Sequence, residues 1–214
     1  VTVALLALGL LVGATPTPAD FLRCPKAAKT CVGITFHVAH KGPKSLVPKP
    51  WIAKQLAHAN RLFADIGLGF EVAAVKRIDA NEAHVVTRLN RDMLGRKRFQ
   101  KGTIHIFLVT HLANVDAPGV IRGVHWRDRG NVKRRWVILA NYARQWVLAH
   151  ELGHFFGLPH SRYPKSVMNK RPRKLPAAMD RVFVAAERKK MRASLRAQLR
   201  YSMVRHRQAP VAKP

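Results

Sequence analysis

His150-Glu151-Leu152-Gly153-His154-Phe155-Phe156-Gly157-Leu158-Pro159-His160 is the stretch on which the reading of this chain turns. Val147, Leu148, Leu152, Phe155 and Phe156 form an apolar stripe through it, which predicts a helix over residues 142–156. His150 and His154 stand four apart, so both imidazoles project from one face, one turn from each other. Glu151 lies one step around that turn, where it can hold a water beside an ion without being a ligand. Gly157 suits the left-handed residue that ends a helix, Pro159 redirects the chain, and His160 can return as a third ligand. Three protein ligands leave a position open for water, which marks a catalytic zinc rather than a structural one. With five residue types fixed, a chance match in a chain of this length is on the order of one in ten thousand.

The run from His150 to His160 resembles the zinc signature of the metzincin metallopeptidases. Their second mark, a methionine in a tight turn beneath the metal, is matched by Ser166-Val167-Met168-Asn169. The resemblance implies an α/β domain of the α+β type: a metzincin-like zincin with a twisted mixed sheet, an active-site helix and a C-terminal helix. It implies a Zn2+ cofactor on His150, His154 and His160, Glu151 as general base, and Met168 as an apolar floor under the ligands. The substrate would be a protein or peptide, laid extended on an edge strand for which Ile121–Trp126 is the candidate. Ser161 after the third histidine is the residue found there in matrixins. Residues 59–70 are similar to bacterial pappalysin-like members. Lys170 departs from the pattern, standing where some metzincins place a tyrosine near zinc. The segment after Met168 is short and basic, so the substrate wall matches no single subfamily.

Outward from the motif, residue types and periodicity predict strands at Ile34–Val38, Leu68–Val75, Thr103–Val109, Ile121–Arg127 and Arg135–Ala140. They predict helices at Trp51–Ile66, Asn81–Leu94 and Ala177–Met203, with loops over residues 41–50, 96–101 and 111–119. The order is that of one mixed domain with a hairpin late in its sheet.

Of 214 residues, 39 are Lys or Arg and 11 are Asp or Glu, a formal net charge of +28. Such a surface attracts polyanions or anionic surfaces nonspecifically. No dedicated nucleic-acid motif accompanies it. The basic runs Arg96-Lys97-Arg98 and Arg188-Lys189-Lys190 read first as solvated faces.

Residues 1–19 read as a signal peptide, with an apolar run to Val12, breaks at Gly13, Pro16 and Pro18, and Ala19 before a cleavage point. No basic residue precedes that run. On this reading residues 20–206 form the catalytic domain, 207–214 a flexible tail, and the protein is secreted or periplasmic. Cys24 and Cys31 would then form a local disulfide. No cysteine is placed for a cysteine-switch latency. His37, His105 and His125 fall in predicted strands and read as structural, while His40, His58, His84, His111 and His206 have no partner spacing. Asp116 alone is not a calcium site. Two other functions remain open: a zinc amide hydrolase acting on envelope peptides, and a polyanion-binding protein of the same fold.

Overall fold

The computed structural model describes residues 23–171 and 176–207. The expected signal peptide, and all of the expected tail except Arg207, lie outside them. In chain order the elements are β1 (Thr30–Lys41), β2 (Lys44–Ser45), α1 (Lys49–Phe63), β3 (Leu68–Asp79), β4 (His84–Val85), α2 (Arg88–Arg96) and β5 (Ile104–Val109). There follow β6 (His111–Leu112), β7 (Gly123–Arg127), β8 (Arg135–Ala140), α3 (Val147–Phe155) and α4 (Ala185–Arg200).

Five strands run in the spatial order β3-β1-β5-β8-β7, and β2 pairs with the end of β1. The first four are mutually parallel, and β7 turns back antiparallel to β8 as the expected hairpin. The sheet is buried on both faces, which is why its central strands are nearly continuous apolar runs. On one face Ile34, Phe36, Ile106 and Leu108 pack against Leu56 and Phe63 of α1, Leu152 of α3 and Met191 of α4. On the other, Phe107, Trp136 and Ile138 pack with Leu94 of α2 and Leu112 of β6. The fold is the mixed α/β architecture expected.

Several boundaries differ from expectation, each through a contact distant in sequence. β1 and β3 extend well beyond 34–38 and 68–75 because they pair with each other over eleven residue positions. The helix expected over residues 81–94 starts only at Arg88. His84 and Val85 are drawn out to pair with His111 and Leu112, so the loop expected there contains a strand. Thr87 and Asn90 then close a capping box, with Thr87 Oγ1 accepting from the Asn90 N–H at 3.0 Å.

The zinc-motif helix starts at Val147 rather than 142. Gln55 of α1 reaches across, accepts from the Leu148 N–H and donates to the Ala143 and Arg144 carbonyls. The last helix starts at Ala185, not 177. Val182 is held extended by bonds to Lys165 and Val167 beforehand, and Glu187 accepts from the Val184 N–H at 2.9 Å as the helix begins. Past α4, Val204 is buried and Arg207 is fixed by the Cys31 carbonyl and by Glu71, 2.8 Å away in both cases.

Candidate active site

α3 carries His150, Glu151 and His154, and Glu151 and His154 line a cleft of about 700 Å³. The helix stops where Gly157 takes φ of +87°, a conformation an L side chain rarely adopts. The chain then turns through Pro159 and sets His160 against His154, with ring centroids 4.7 Å apart. His150 and His154 are separated by 4.8 Å and His150 and His160 by 5.5 Å. One ligand atom from each ring lies within 4.8 Å of the others. Among the described residues, no other group of three histidine, cysteine or carboxylate side chains converges this way.

Backbone carbonyls orient two of the rings. His150 Nδ1 donates to the Val167 carbonyl at 2.8 Å, and His154 Nδ1 to the Leu158 carbonyl at 2.7 Å. A carbonyl can only accept, so the proton is on Nδ1 and the Nε2 lone pair is left for an ion. Burial lowers all three imidazole pKa values, that of His150 to about 4. Neutral imidazoles with oriented lone pairs fit Zn2+.

Glu151 is buried at the floor of the same cleft. For the chain alone, burial pushes its carboxyl up to about 8, while the His125 backbone N–H and the Arg91 guanidinium pull it down. A dication at the imidazoles would further favour the carboxylate.

Met168 is fully buried beneath α3, with its sulfur packed against Gly153. Its turn is built from Ser166, whose Oγ accepts from the Met168 N–H at 2.9 Å and donates to Glu187 of α4 at 2.7 Å. Ser161 joins the same structure, its N–H donating to the Met168 carbonyl. Lys170 is near enough to His160 to contribute to lowering its pKa. Cys24 and Cys31 are joined in a disulfide, with Cα atoms 6.0 Å apart.

β7 pairs only with β8 among the described strands, so it is an edge, and it lines the cleft over Glu151. The edge begins at Gly123, two residues later than expected. Trp126 is tied into the scaffold: its indole N–H donates to Asp92 Oδ1 at 2.8 Å, and the Arg91 guanidinium lies 4.9 Å from its ring centroid. Asp92, fully buried, also accepts from Arg129 at 3.1 Å. Sequence reasoning missed this network, and the Ser166–Glu187 bond, because nothing local links the partners.

Two groups of the remaining histidines are brought together by the fold. His37 and His105 are buried and bonded to each other at 2.9 Å, and the His206 imidazole accepts from the Cys31 N–H. His84 and His111, unconnected by spacing, stack at 4.4 Å through the β4–β6 pairing, with rings too nearly parallel to converge on an ion.

Three solved structures share the fold. Archaemetzincin from Methanopyrus kandleri aligns over 80% of this chain and 98% of its own, at 15% identity and TM-score 0.52. A promirolysin mutant from Tannerella forsythia covers 87% of each chain at 12% identity and TM-score 0.55. Metalloproteinase-II from Bacteroides fragilis aligns over 79% of this chain and 55% of its own, at 17% identity and TM-score 0.53. No curated protein matches the sequence. Identities this low speak for architecture alone. Sequence supplies the rest, because the matrixin model of the M10 peptidases matches residues 14–180, most of the chain and the whole of the motif, and the chain therefore belongs to the matrixin family of zinc metallopeptidases.

Proposed function

We propose that this metallopeptidase is an extracytoplasmic endopeptidase, with zinc on His150, His154 and His160 and Glu151 as its general base. The observation that carries the reading is the shared cleft: Glu151, His154 and His160 line one open groove beneath the free edge of β7. An extended peptide can add to that edge through main-chain hydrogen bonds, which places a scissile bond over the three imidazoles without regard to chain ends.

Zinc, when bound, supplies Lewis acidity that polarises the scissile carbonyl and acidifies a water. The Glu151 carboxylate accepts a proton from the attacking water and delivers it to the departing amine nitrogen. The Nδ1–H bonds of His150 and His154 keep both rings from rotating as charge develops. Met168 closes the floor and keeps water from reaching the ligands from below.

The extracytoplasmic location is supported by the Cys24–Cys31 disulfide and by the apolar run before Gly13. No helix among the described residues is long and apolar enough to cross a membrane.

The test is Glu151→Gln. The amide cannot take the water's proton, so turnover of a quenched peptide library should fall by at least about a hundredfold. Zinc content should stay near that of the parent. A variant that cleaves at the parent rate would remove Glu151 from the mechanism.

A further inference from the structure

A net charge of +28 makes basic residues common on every surface, so basic residues in the cleft carry no information by number alone. Pairing separates them. Arg88 and Arg129 line the cleft, but each is engaged by a carboxylate, Asp116 and Asp92 respectively. Arg127 and Lys190 line it too and are exposed, and their side chains make no ion pair or hydrogen bond with the described residues. Among the described residues, the only carboxylate in the lining is Glu151, which the proposed chemistry occupies.

The two free cations reach the cleft from different elements, Arg127 from β7 and Lys190 from α4. Arg127 ends β7, two residues past His125, whose backbone N–H bears on the Glu151 carboxylate. Two strand residues are about 7 Å, and residues two apart project to the same side of a strand. A peptide added to β7 would therefore present to Arg127 a side chain about two residues from the scissile bond. Lys190 comes from the second turn of α4 and lines the same cleft as Glu151, His154 and His160.

We infer that the cleft selects acidic peptides, with Arg127 and Lys190 as the specificity residues that meet Asp or Glu side chains flanking the scissile bond. This rests on the peptidase reading proposed above. Arg127 offers a planar guanidinium that can grip a carboxylate in two-point fashion, while Lys190 offers a mobile point charge. Both are solvent-accessible, so each contact contributes the modest, salt-sensitive selectivity of an open ion pair.

The test uses two matched quenched peptides that differ only in Glu against Gln two residues from the scissile bond. The zinc-loaded protein should favour the acidic peptide in kcat/KM by about fivefold at low ionic strength, and less at physiological salt. Arg127→Gln should reduce that ratio, and Arg127→Gln with Lys190→Gln should abolish it. Lys76→Gln is the control for the general field. It removes the same charge from β3, at the opposite edge of the sheet with three strands between it and β7, and should leave the ratio intact. A wild-type ratio near one, or a loss in Lys76→Gln as large as in Arg127→Gln, overturns the inference. Fluorescence anisotropy of the same peptides on Glu151→Gln protein separates the two proposals. Acidic preference in binding without cleavage by the parent would sustain the cleft reading and sink the peptidase reading. Equal binding of both peptides, with cleavage, would do the reverse.

Discussion

Acidification should destabilise this domain through a histidine far from the zinc motif. His37 is fully buried, stacked on Phe107 at 4.3 Å, with Nε2 bonded to His105 and Nδ1 without any partner. A second proton would leave an N–H at Nδ1 with no acceptor and a cation in an apolar layer. Burial, followed by the charges of His105, Arg98 and Lys76, lowers its pKa from 6.5 to about 3. Below about pH 6.5 the unfolded chain binds a proton that the folded chain refuses, so unfolding is favoured as pH falls. The stabilisation is complete above the unfolded pKa, and its loss levels off near the folded value. At about pH 5, some 1.5 units below the unfolded value, the cost from His37 alone is about 2 kcal/mol. Domains of this kind hold about 5–15 kcal/mol in all, so the effect is large. Urea denaturation followed by tryptophan fluorescence, at about pH 7.5 and about pH 5 with zinc in excess, reads it directly. His37→Gln lowers stability at both pH values by breaking the stack, yet its loss between them should be smaller than the parent's by about 2 kcal/mol. Zinc release in acid acts on both proteins and cancels, because His37 lies on the face of the sheet away from α3. Equal losses in parent and variant would refute the argument.

Two further outcomes follow from the site. His154→Ala removes one of three converging ligands and should take bound zinc from about one equivalent to near zero by metal analysis, whereas full occupancy would unseat the ligand set. Gly153→Ala would bring a Cβ to 2.4 Å from the Met168 sulfur and 3.1 Å from Phe183 in a fully buried layer. It should lower unfolding free energy by about 1–3 kcal/mol and weaken zinc retention, and unchanged thermal stability would mean that the sulfur has room to move.

The candidate metal site was legible because its geometry is local. His150, Glu151 and His154 fall within two turns of one helix, where periodicity puts the two imidazoles on one face, and Gly157 and Pro159 end the helix and return His160 within eleven consecutive residues. Met168 was legible only through resemblance. Nothing in its own neighbourhood says that residue 168 lies under residue 153, a relation created by α4 closing on the turn through Glu187 and Ser166. Helix starts failed for the same reason. The apolar spacing in 81–94 and 177–203 is compatible with helix, but those segments first answer to β6 and to the Met168 turn, and strand pairing overrides periodicity wherever a partner is in reach.

The charge shows where reading from composition stops. Among the described residues, six of the Asp and Glu side chains form ion pairs, and every partner is an arginine. Four of the seven pairs, those of Asp92, Asp128 and Glu82 with Arg96, Arg98 and Arg129, gather around α2 and the β7–β8 turn. Exposed pairs contribute little each, but Asp92 and Asp128 are buried and their arginines reach in to meet them, so losing one partner would strand a charge. Few acids on a basic chain are thus concentrated where they hold the free edge strand in position over Glu151. The same concentration decides which cations remain available to a ligand: the arginines that support the edge are occupied, and Arg127, pointing past them into the cleft, is not. Net charge could predict attraction to anions, but only the map of pairs distinguishes a supporting arginine from one that can bind substrate.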